Sequence, residues 1–118
     1  MSPDDRREFH RAGFHVAIAY KRIGALLETW QNGTMTDVSA GGLRFTTDDP
    51  IDQGAQLEFK LVLPIRKDAY ILDGLVVSEQ PADGGSVEYG VAFLDLEPDR
   101  QAEVDELVRF LNRSREDA

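Results

Sequence analysis

The sequence predicts a mainly β domain, a small antiparallel barrel or sandwich, followed by one amphipathic C-terminal α-helix. Three observations carry that prediction. Apolar and polar residues alternate over short runs between Phe14 and Leu94, the period-two signature of half-buried strands. Turn-forming clusters such as Asn32-Gly33, Asp48-Asp49-Pro50 and Asp83-Gly84-Gly85 separate those runs. After Pro98 the apolar spacing changes to that of a helix.

The elements follow in order. Met1 to His10 is polar, with no apolar periodicity, and reads as a flexible arm. Phe14, Val16, Ile18 and Tyr20 then alternate with His15, Ala17, Ala19 and Lys21, giving a first strand that Gly24 breaks. Ala25 to Gln31 reads as a second strand and Asn32-Gly33 as a hairpin turn, with Thr34 to Val38 the third strand. Leu43 to Thr46 resumes strand character. Gln56 to Leu63 places Leu57, Phe59, Leu61 and Leu63 on one face before Pro64. Ala69 to Glu79 is the next strand, with Gly74 a bulge candidate, and Ser86 to Leu94 follows the Asp83-Gly84-Gly85 turn. Pro98 suits a first helical position, and Val104, Leu107, Val108 and Leu111 then share one helical face. The chain thus divides into an arm over residues 1–11, a barrel over 12–95 and a helix over 98–113, all within a single domain spanning 1–118.

Composition narrows the function. The 118 residues are 42% hydrophobic and 30% charged, which suits one globular domain. No apolar run is long enough to span a bilayer, so membrane insertion is not expected. The chain has no cysteine and only two histidines, which excludes thiol chemistry, disfavours a His/Cys metal cage and makes the cytoplasm the default compartment. A net charge of −9 argues against nucleic-acid polymers and anionic membranes. The charge is uneven, because Arg6, Arg7, Arg11, Lys21 and Arg22 concentrate near the start. A basic arm on an acidic body suits a small, compact anion.

The stretch Thr36-Asp37-Val38-Ser39-Ala40-Gly41-Gly42 packs a carboxylate, a hydroxyl and two glycines between apolar runs. Asp and Ser close Asx- and ST-turns, so the stretch taken alone reads as a turn. Set beside the arm, it acquires a second meaning. On an extended backbone Asp37 and Ser39 share a face, and the glycines let another group approach the main chain. Arg7 and Arg11 stand at R-x-x-x-R spacing with Arg6 before them. Arginine forks pair bidentately with phosphate and with the O6/N7 edge of guanine. Asp37 can accept from a guanine's N1–H and amino group, while Ser39 and the Gly42 backbone take phosphate or the other base edge.

An R-x-x-x-R arm followed by D-x-S-x-x-G resembles the PilZ domain family, receptors for the bacterial second messenger cyclic di-GMP. Arg7, Arg11, Asp37, Ser39 and Gly42 match both motifs without departure, and Tyr89-Gly90-Val91-Ala92-Phe93 resembles the family's Y-G-V-x-F element. The resemblance implies a six-stranded antiparallel β-barrel with a C-terminal helix, the arm wrapping the ligand, no cofactor and no catalysis. It also implies signalling through a ligand-induced surface change read by an effector protein. Within the family the residue before R-x-x-x-R bears on ligand number, and Arg6 there implies two cyclic di-GMP molecules per chain. Two other readings compete. A PilZ-fold interaction module would keep the barrel and bind no nucleotide. A hydrolase built on His10, Asp37 and Ser39 lacks a nucleophile elbow and would rest on a mobile histidine.

Overall fold

A computed structural model describes residues 15–25, 28–64, 67–94 and 96–117, with side chains through residue 113. The arm expected over residues 1–11, with Arg6, Arg7, His10 and Arg11, lies outside the described residues. Six strands form: β1 (Val16–Arg22), β2 (Gln31–Val38), β3 (Gly42–Thr47), β4 (Gln56–Leu61), β5 (Tyr70–Pro81) and β6 (Val87–Phe93), followed by helix α1 (Pro98–Asp117). All pairings are antiparallel, and the order β1-β2-β3-β6-β5-β4 closes into a barrel through β1 against β4. The expected six-stranded barrel with a C-terminal helix is the fold observed.

Alternation decides what faces inward. Ile18 and Tyr20 of β1, Leu43 and Phe45 of β3, and Leu57 and Phe59 of β4 fill the interior, each 4% exposed or less. Phe45 is central: its ring centroid lies 5.1 Å from Tyr20, 5.3 Å from Phe59 and 5.7 Å from Tyr89. Offset and edge contacts of this kind contribute about 0.5–1.5 kcal/mol each beyond simple burial. Trp30 is only half-buried and stands at the rim, with the Lys21 and Lys60 ammonium groups 4.8 and 5.7 Å from its ring centroid. Val104, Leu107 and Leu111 of α1 join the core cluster, and Val108 packs against it. Tyr70 donates to Glu106 and Arg100 to the Ile71 carbonyl, so the helix flanks the start of β5.

Two local expectations are corrected. Asn32-Gly33 is not a hairpin turn, and residues 28–30 are not a strand; Asn32 and Gly33 lie inside β2, paired with Ala19 and Ile18. Gly33 has no positive φ. A Cβ there would come within 3.1 Å of both the Phe45 ring and the Thr46 carbonyl, so the glycine serves the core aromatic and not a turn. Gly74 is likewise no bulge. It pairs regularly with Leu57 and Phe93, where a Cβ would overlap the Val91 side chain. The irregularities fall elsewhere, at Thr36 between Met35 and Asp37 and at Val77 between Val76 and Ser78. The Asp83-Gly84-Gly85 turn does join β5 to β6, as a 3₁₀ turn with φ of +72° at Gly84 and +84° at Gly85.

Candidate ligand-binding site

The β2–β3 hairpin carries the motif. Its tip is Ala40-Gly41, closed by the Ser39 N–H donating to the Gly42 carbonyl at 2.8 Å. The Ser39 hydroxyl lies 3.4 Å from the Gly41 N–H and 3.5 Å from the Gly42 carbonyl, a weak ST-type brace on an exposed turn. Asp37 is half-buried at the end of β2, and its Oδ1 accepts from the Val38 N–H at 2.9 Å. Gly42 also lacks a positive φ; it is required because a Cβ would overlap the Val91 carbonyl oxygen of β6. The turn reading holds for this stretch: Ser39 to Gly42 makes the turn, and Asp37 stands beside it on a strand.

Register extends the site across the sheet. Asp37 pairs with Arg44, Arg44 with Gly90, and Gly90 with Ser78, one continuous row on the outer barrel face. The row has a gap at Gly90, where a Cβ would collide with the Ser78 side chain. An open groove of about 330 Å³ follows from it, lined by Asp37, Ser39, Gly41, Gly42, Arg44 and Ser78 among others. Both bulges border this face. An extra residue in one strand bends it and re-aims the side chains beside it. At Thr36 the result is that two successive residues serve the outer face: Asp37 opposite Arg44, and Thr36 donating to Glu88 at 3.0 Å.

The structure thus brings Asp37, Ser39 and Gly42 into one groove, while Arg6, Arg7 and Arg11 fall outside the described residues. It adds Arg44, which the motif reading missed. The signal was present: Arg44 stands between inward-facing Leu43 and Phe45, so alternation alone puts it outside. Chemically the groove offers a carboxylate acceptor, a hydroxyl, exposed main chain and a guanidinium within one surface. His15 lines a neighbouring cavity and not this groove, and His10 of the hydrolase reading lies outside the described residues. No cluster of three metal-ligating side chains occurs among the described residues. No described helix is long and apolar enough to cross a membrane.

The family model of the PilZ domain matches residues 5–112. Among solved structures, the chain is similar to the PilZ domain of CeSA from a cellulose-synthesizing bacterium, at 15% identity and a TM-score of 0.64, covering 87% of this chain and 98% of that one. It is similar to the PilZ domain of YcgR from Escherichia coli, described with c-di-GMP, at 15% identity and a TM-score of 0.66, covering 87% and 92%. PlzA of Borreliella burgdorferi, in complex with c-di-GMP, is 14% identical with a TM-score of 0.51, covering 93% of this chain and 49% of that one. No curated protein sequence matches the chain.

Proposed function

The chain belongs to the PilZ domain family, and from that premise we propose that it is a cyclic di-GMP receptor, not an enzyme, that reports to a protein effector. The observation that carries the reading is the Asp37–Arg44–Gly90 row, which sets an acceptor and a cation side by side in the lining of a groove beside the Ser39–Gly42 turn. Asp37 accepts from a guanine Watson–Crick edge, Arg44 and the arm residues Arg6, Arg7 and Arg11 neutralise phosphate, and Ser39 with the Gly42 backbone completes the contact. Family membership and the pairing of both sequence motifs support the ligand. Arg6 supports a ratio of two ligand molecules per chain. An intracellular messenger as ligand makes the cytoplasm the site of action.

The test is calorimetric titration with cyclic di-GMP, cyclic di-AMP and GTP. Saturable binding of the first alone is expected. Removing a bidentate base contact costs about 1–3 kcal/mol, so Asp37→Ala weakens affinity roughly tenfold or more. No binding by the unmodified chain overturns the receptor reading and leaves the barrel as an interaction module.

A further inference from the structure

One strand step along the same outer face lies a second, larger cavity of about 570 Å³, lined by His15, Thr36, Arg44, Thr46, Gln80 and Glu88 among others. Its position follows from register, because Thr46 pairs with Glu88 and Glu88 with Gln80, in the row beside Asp37–Arg44–Gly90. Glu88 faces outward yet is only 6% exposed. Thr36 Oγ1 donates to its Oε2 at 3.0 Å, and Gln80 Nε2 donates to its Oε1 at 2.8 Å. Chemistry fixes the direction of that second bond. An amide NH₂ donates and a carboxylate oxygen accepts, so with Nε2 against Oε1 the Gln80 amide turns its NH₂ toward Glu88. Gln80 itself is exposed, which leaves its carbonyl oxygen as the outward group.

Arg44 lines this cavity and the Asp37 groove alike. The face therefore reads acceptor, cation, acceptor: Asp37, Arg44, then the Gln80 carbonyl. A cyclic dinucleotide of guanine reads donor edge, phosphate, donor edge. We propose that the cavity is a second base-reading subsite, in which Gln80, oriented by Glu88, accepts from the N1–H and amino group of a guanine while Arg44 holds the phosphate between the two subsites. The proposal rests on the receptor reading above and adds to it the residues that choose the base. Adenine presents an unprotonated N1 on the same edge, so an acceptor fixed there rejects it. Gln80 is the specificity contact. Glu88 is a positioning residue acting through it.

The experiment compares the ratio of affinities for cyclic di-GMP and the mixed cyclic GMP–AMP in the unmodified chain, Glu88→Gln and Gln80→Ala, with melting temperatures measured alongside. A glutamine at 88 can donate as well as accept, so the Gln80 amide is free to flip and the ratio falls by about tenfold. Gln80→Ala lowers the ratio similarly; it also takes one donor from the nearly buried Glu88, so the melting temperature falls by a few degrees and the affinity ratio is the readout that decides. That second variant keeps the test decisive if Glu88→Gln folds poorly. An unchanged ratio in Gln80→Ala overturns the subsite while leaving the receptor reading intact. Absence of cyclic di-GMP binding by the unmodified chain overturns both.

Discussion

Two adjacent glycines at the hairpin tip should respond to the same substitution in opposite ways. At Gly42 an added Cβ would overlap the Val91 carbonyl oxygen and sit 3.1 Å from its carbon and 3.3 Å from Ala92 Cα. All three are backbone atoms of β6, held by the Gly42–Ala92 and Leu43–Val91 pairings, so no side chain can swing aside. Overpacking against unyielding neighbours costs about 1–3 kcal/mol. For a domain of this size each kcal/mol moves the melting temperature by about 4 °C, so Gly42→Ala should lower it by about 4–12 °C. Gly41 has nothing within 4 Å of the corresponding position and no positive φ. Gly41→Ala should therefore be neutral or raise stability by up to about 1 kcal/mol through a less mobile unfolded chain. Thermal melts by circular dichroism read both. Equal destabilisation by the two, or none by Gly42→Ala, would show that contact with β6 is not what selects glycine at position 42.

Arg7→Ala and Arg11→Ala should each weaken cyclic di-GMP binding by about tenfold or more, from bidentate contacts of about 1–3 kcal/mol, while the ligand-free melting temperature stays put; unaltered affinity in both would place the anion site elsewhere. Arg6→Leu should lower the calorimetric ratio from two ligands toward one without abolishing binding, and a ratio of one in the unmodified chain would assign Arg6 no part in the second ligand. Tyr20 provides a pH test: burial first, with the Asp49 charge in addition, pushes its phenol from 10.0 up to about 12. The fold prefers the neutral phenol, so its contribution is complete below pH 10 and is lost as pH rises toward 12. Tyr20→Phe removes its hydrogen bonds to Thr47 and Asp49, both 2.9 Å, and should cost about 0.5–1.5 kcal/mol at pH 7. It should also flatten alkaline destabilisation measured by urea titration, and an unchanged alkaline slope would discount the phenol.

What the sequence made legible is what is local. The runs from Val16, Leu43, Gln56 and Ser86 alternate because one face of each strand fills the barrel, and that period is written residue by residue. The helix was legible for the same reason, although it runs to Asp117 and not to 113. Asp37, Ser39 and Gly42 could be read together because one hairpin holds them. Asn32-Gly33 misled because a dipeptide signal records what a backbone can do, whereas Gly33 answers to Phe45 and Tyr20 on other strands. Bulges at Thr36 and Val77 are mismatches between two strands and exist in neither strand alone. The Thr36–Glu88 contact spans 52 residues of sequence, so only register reveals it. Arg44 lies between the two cases: its outward face was readable, its partner across β2 was not.

Closure of the sheet limits how this protein can be read by others. Each described strand has a neighbour on both sides, so no strand presents its whole length as an open row of N–H and C=O groups; the longest one-sided stretch is the end of β5 after Val76, which pairs with β6 alone. Extension of the sheet by a partner's peptide along a full strand is therefore closed to the barrel wall. Among the described residues, recognition falls to side chains on its outer face, to hairpin tips such as Ala40-Gly41, and to the flank of α1. Those are the surfaces on which a partner could tell one state from another without unpairing a single strand.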